Sequence, residues 1–96
     1  LRKLAEEGEL FARMDLACRL IDGRGCPVDI ESGMTLLRQL AEQEDEEAQV
    51  ELAERLLEGR GCPADPKEGM ALLRQYAEWG NEEAKELLRQ YEGVNP

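Results

Sequence analysis

The pentapeptide Gly23-Arg24-Gly25-Cys26-Pro27 recurs unchanged as Gly59-Arg60-Gly61-Cys62-Pro63, an offset of 36 residues that runs through most of this 96-residue chain. Segments 12–47 and 48–83 are identical at 21 of 36 positions, where average composition gives roughly two or three by chance. A unit of this length cannot bury its apolar face alone; it does so by stacking on its neighbour. The repeat therefore restricts the chain to a linear array. Such arrays present extended surfaces, which directs the search for function toward binding.

Each unit contains two apolar-periodic segments. Ala48, Leu52, Ala53, Leu56 and Leu57 fall at the spacing of one helical face, and Ala12, Leu16, Ala17, Leu20 and Ile21 are their earlier copies. Gly23 and Gly59 follow directly, where helices commonly end in a left-handed residue. Gly25 and Gly61 complete the loop, and Cys26 and Cys62 are placed to plug it onto the helices as small apolar side chains. Asp65-Pro66-Lys67-Glu68 predicts a helix start, with Asp as N-cap and Pro at the first helical position; Asp29 caps the earlier copy. The second helix then presents Met70, Leu73, Tyr76 and Ala77, or Met34, Leu37, Leu40 and Ala41. Gly80-Asn81 ends it with good turn chemistry, and Glu44-Asp45 is a less suitable version. The predicted layout is half a helix over 1–7, then helices near 10–22, 30–43, 46–58, 66–79 and 82–92. Short connections make successive helices antiparallel, giving an all-α, α/α solenoid.

Twelve basic against 22 acidic residues give a formal net charge of −10. That field repels a phosphate backbone, so nucleic acid and anionic membrane surfaces are poor partners, and a basic patch or neutral peptide on a protein is a better one. No run of 18 apolar residues offers a membrane span. The three cysteines make no disulfide framework; free thiols in a reducing, cytoplasmic setting are expected. Leu1-Arg2-Lys3-Leu4-Ala5-Glu6 aligns with Leu37-Arg38-Gln39-Leu40-Ala41-Glu42, so the chain is expected to be a piece of a longer array, starting within a repeat.

The run Ala48…Leu52-Ala53…Leu56…Gly59-Arg60-Gly61-Cys62-Pro63-Ala64-Asp65…Gly69-Met70…Leu72-Leu73…Ala77-Glu78…Gly80-Asn81 resembles the SEL-1-like repeat, a relative of the tetratricopeptide repeat. The resemblance covers nearly the whole chain and implies a right-handed superhelix of antiparallel helix pairs that binds protein. It divides the chain into a partial repeat 1–11, repeats 12–47 and 48–83, and a C-terminal capping helix with tail over 84–96. The family usually has Gly where Ala17 and Ala53 stand, Ala where Gly33 and Gly69 stand, and Val where Cys26 and Cys62 stand. Secreted relatives clamp helix pairs with disulfides; with cysteines in the loops, that clamp is not expected here. In the last helix Arg89 and Glu92 replace Ala53 and Leu56, the polar outer face a solenoid end needs.

No catalytic, cofactor or metal residues are assigned. Histidine is absent, the cysteines lack a base, and the Gly23-x-Gly25 loop lacks the third glycine of a dinucleotide fingerprint. The acidic run 42–47 lacks the spacing of a calcium loop. Candidate partner contacts are the stripe Asp15, Arg19 and Asp22 and its copy Glu51, Arg55 and Glu58. They form either a solvated row of i, i+4 pairs or, on the face that first helices line in the family, an alternating-charge surface for a partner segment. Trp79 is either an exposed anchor or, preferred, a lid on the C-terminal helix. Phe11 is either exposed or covers the N-terminal end. The predicted function is a protein–protein interaction module, an adaptor or scaffold. The alternative is a structural spacer contacting other parts of a longer chain, with an enzyme third. Two repeats are fewer than the usual three, so end-to-end self-association is expected, with Leu1, Leu4 and Leu10 near an open edge.

Overall fold

Helix starts in this protein are set by four short polar side chains, each holding the orphan amides of a first turn. Asp29 accepts the Ser32 amide at 3.1 Å and Asp65 the Glu68 amide at 3.1 Å. Asp45 accepts the amides of Glu47 and Ala48, and Asn81 that of Ala84. The computed structural model describes residues 4–93, and side chains from Gly8 onward. Its helices are α1 (Leu4–Asp22), α2 (Ile30–Glu42), α3 (Glu46–Glu58), α4 (Pro66–Glu78) and α5 (Glu82–Glu92). Each packs on its chain neighbour, and α3 also meets α5. The stack measures 43 × 33 × 14 Å between Cα atoms, a thin plate in which burial depends on having neighbours on both flanks.

One expectation fails at the start. The sequence layout placed a break between a half-helix over 1–7 and a helix near 10–22, but α1 runs unbroken from Leu4 to Asp22. The reason lies at Gly8-Glu9, which occupies the positions of Gly80-Asn81. Glutamate is a poor N-cap, and Glu9 instead pairs with Arg13 one turn on at 3.2 Å. Leu10 is also buried, at 8% exposure, rather than lying at an open edge. Leu1, the side chain of Leu4 and the tail 94–96 lie outside the described residues.

The two Gly-x-Gly loops are near-copies in space. Gly23 and Gly59 take φ of 72° and 71°, and Gly25 and Gly61 both take 77°, values costly for any residue with a Cβ. The Cys26 and Cys62 thiols donate to the Arg19 and Arg55 carbonyls at 3.6 and 3.5 Å. Both cysteines are only half-buried; Cys62 packs against the core and gives the plug its clearest form. All three cysteines are free.

The core is built from Leu37, Leu40, Leu52, Leu73 and Tyr76 around fully buried Ala17, Ala41, Ala48, Ala53 and Ala84. Close crossings need Gly33 and Gly69. A Cβ on Gly33 would stand 2.7 Å from the Ala17 carbonyl oxygen, and one on Gly69 2.7 Å from Leu57 Cγ. A buried amide relay, unforeseen in the sequence, joins three helices. Asn81 Nδ2 donates to Gln49 Oε1 at 2.8 Å, and Gln49 Nε2 donates to the Ala41 carbonyl at 3.0 Å. Both side chains are almost fully buried, and fully bonded groups of this kind specify one packing.

Candidate functional site

The two charged stripes have different fates. Arg55 is buried, with 3% exposure. Its Nη1 and Nη2 donate to the two Asp22 oxygens at 3.0 Å each, a bidentate pair across α1 and α3. Its Nε donates to Glu51 at 2.8 Å, and Nη1 also reaches the Arg60 carbonyl at 2.9 Å. The Cys18 thiol donates to the same Glu51 oxygen at 3.7 Å. Burial works to lower the Arg55 pKa, but its hydrogen bonds to Asp22, with the negative charges of Glu51 and Asp22, outweigh it and hold the guanidinium charged. The same bond lowers the Asp22 pKa. Arg55 is thus an interlayer clamp and not a partner contact, and Asp22 and Glu51 are engaged with it. The sequence carried a partial signal: in a stack, a carboxylate near the end of one first helix, such as Asp22, can come alongside the next first helix.

The earlier copy stays on the surface. Among the described residues the Arg19 side chain bonds Asp15 of its own helix at 2.8 Å, with about half of each side chain exposed. Glu58 is half-exposed and pairs with Arg60 at 2.9 Å. The loop glycines follow the same division. A Cβ on Gly61 would meet Ile21 Cγ2 at 2.5 Å, Arg55 Nη1 at 3.0 Å and Asp22 Oδ1 at 3.2 Å, so this loop lies directly over the clamp. A Cβ on Gly25 would meet only Arg19 Nη1, at 3.7 Å.

Phe11 is exposed at 64% and Trp79 at 47%. The lid reading placed Trp79 on the last helix. Its ring partner is Tyr76 of its own helix, at 5.5 Å and tilted 59°. The small cavity it lines, about 90 Å³, is shared with Arg38 and Glu42 of α2 and Leu52 of α3. Burial raises the pKa of Tyr76 above the usual phenol value.

Little here supports bond-making chemistry. Burial, then Glu51, raises the Cys18 pKa, and burial raises that of Cys62, so both are thiols at neutral pH and poor nucleophiles. Among the described residues, no group of three or more histidine, cysteine, aspartate or glutamate side chains is placed to hold a metal ion. No described helix is long and apolar enough to cross a membrane.

A family model for the Sel1 repeat matches residues 10–45 and 46–81, two adjacent units that each carry the loop, the helix pair and the caps described above. The chain belongs to the Sel1 repeat family. Among solved structures, the Sel1 array is similar to a Sel1 repeat protein from Oxalobacter formigenes at a TM-score of 0.67 and 23% identity, a likeness of fold. The match covers 96% of this chain and 38% of that one. No curated protein matches. Sel1 repeats are a non-catalytic helical fold and generally serve as protein-interaction modules.

Proposed function

We propose that this Sel1 array is a binding module and not an enzyme: an adaptor or scaffold that takes a partner polypeptide on its helical surface. The observation that carries the reading is the half-exposed Trp79, in tilted ring contact with Tyr76 beside a cavity, at a repeat position where the earlier copy has Gln43. An aromatic held in place by a neighbouring ring loses little entropy on contact and is the typical anchor of an interface. Phe11, Asp15, Arg19 and Glu58 remain exposed and complete the candidate contacts; Arg55 leaves the set. In the same reading residues 1–11 form a partial repeat, 12–47 and 48–83 whole ones, and 84–96 the capping helix and tail.

The test is selection of a random peptide library on the immobilised chain, followed by binding of the selected peptides to Trp79→Ala and Phe11→Ala. Loss of affinity in either variant supports the reading. Failure to select any binder above background counts against it. The spacer alternative draws on Leu16, 48% exposed where its copy Leu52 is 1% exposed, a site suited to packing against another helix. End-to-end association through this flank predicts concentration-dependent sedimentation that Leu16→Glu removes.

A further inference from the structure

The clamp around Arg55 has a second edition one repeat later, and that edition is one cation short. Moving each clamp residue forward by 36 positions converts Asp22 to Glu58, Cys18 to Glu54, Glu51 to Leu87 and Arg55 to Tyr91. These four residues, with Gln90, line a cavity of about 360 Å³ between α3 and α5. The groove that holds a guanidinium between α1 and α3 therefore has a counterpart between α3 and α5, where Tyr91 takes the arginine's place and lines a cavity.

The charges around the two grooves differ accordingly. In the first, Asp22 and Glu51 face Arg55 and the loop residue Arg24, whose Nε stands 3.8 Å from Asp22. Two negative charges meet two positive ones. In the second, Glu54 and Glu58 pair with the loop residue Arg60, at 3.4 and 2.9 Å, and the Tyr91 hydroxyl bonds to Glu58. Glu54 in place of Cys18 adds a carboxylate and Leu87 in place of Glu51 removes one, so the difference that remains is the guanidinium lost with Tyr91 in place of Arg55. Burial, against the opposing charge of Arg60, raises the Glu54 pKa, and burial and then Glu58 raise that of Tyr91. Both shifts come first from partial desolvation, to which the neighbouring carboxylates add.

We infer that the α3–α5 groove is a receptor for an arginine side chain of a partner polypeptide. This rests on the binding-module reading and names the chemistry of one contact. Arginine suits the groove better than lysine for three reasons. The homologous groove in this chain is filled by a guanidinium. The Glu58 carboxylate stands at the position from which Asp22 takes a bidentate fork. The Tyr91 ring and Leu87 offer a flat face and an apolar wall for the planar head and its aliphatic stem. Both flanking helices, α3 and α5, lie within the described residues. The net charge of −10 draws a basic segment toward it.

The probe is the peptide acetyl-Gly-Arg-Gly-amide, titrated into the ¹⁵N-labelled chain alongside its lysine and citrulline counterparts. Shift changes concentrated at Glu54, Glu58 and residues 87–91 are expected, with the arginine peptide at least threefold tighter than lysine and citrulline inactive. Glu54→Gln should weaken the arginine peptide at least fivefold while leaving the fold intact. Tyr91→Arg should supply the guanidinium internally, abolish binding and raise the thermal midpoint. The inference is overturned if no binding is seen, if the three peptides bind alike, or if Tyr91→Arg binds as before or lowers the midpoint. Library selection separates this from the broader reading: binders without enriched arginine would leave the module standing and remove the arginine receptor.

Discussion

Helices α1 and α3 are copies of one element, yet they do different work. Leu16 and Leu52 hold the same repeat position, and one is half-exposed while the other is sealed. Arg19 and Arg55 hold another; the first makes a surface pair and the second anchors three partners in the interior. The sequences differ little at these points. What differs is that α3 has a first helix alongside it at α1, which brings Asp22 and Cys18 to it. In a stack, an identical residue becomes core or surface according to its neighbours.

The sharpest way to break the comparison is paired truncation. Leu52→Ala should cost roughly 2–5 kcal/mol by urea unfolding, as for large-to-small changes in a closed core, while Leu16→Ala should stay within about 1 kcal/mol. Equal losses would mean that α1 is covered in solution. Next comes the clamp. Arg55→Ala should cost about 2–4 kcal/mol, at the lower part of the range for broken buried pairs because Asp22 and Glu51 keep some solvent. Arg19→Ala should cost no more than about 0.5 kcal/mol.

The clamp also has a pH signature with a definite sign. The Asp22 pKa is lowered in the folded state, so its stabilisation is complete above the ordinary aspartate value of about 3.9 and is lost as pH falls below it. The stability difference between the parent and Asp22→Asn should therefore be flat at neutral pH and shrink in acid. A difference that grew on acidification would contradict the assignment.

Smaller effects refine the contrast between the loops. Gly25→Ala should cost about 1 kcal/mol for its left-handed backbone. Gly61→Ala should cost a further ~1–3 kcal/mol, because its methyl would collide with Ile21 and the clamp. The smallest change is a gain. Glu44 sits at φ 67° where the next repeat has Gly80, and Glu44→Gly should stabilise by about 1 kcal/mol in the same unfolding assay.

Much of this was legible beforehand. Period and caps placed α2, α3, α4 and α5 within a residue or so, because Asp29, Asp65 and the loop glycines carry local backbone instructions. The break expected between 7 and 10, which α1 runs through, was also a local matter: Glu9 stands where a cap is required, and the repeat register hid it. The site was harder to read. Asp15 with Arg19 and Glu51 with Arg55 looked alike in the sequence, yet the first pair lies at the surface and Arg55 is buried. The Asn81–Gln49 relay joins residues 32 apart, and no periodicity announces a pair of amides that meet only after stacking.

The sequence settled the helical period, the loops and the repeat unit, since these depend on hydrogen bonds and backbone preferences within a few residues. Tertiary structure decided which copy of each residue is buried, which arginine is held, and that Glu54, Glu58 and Tyr91 face one cavity. Burial and electrostatics are properties of neighbours in space, and a repeat supplies the same residues to places with different neighbours.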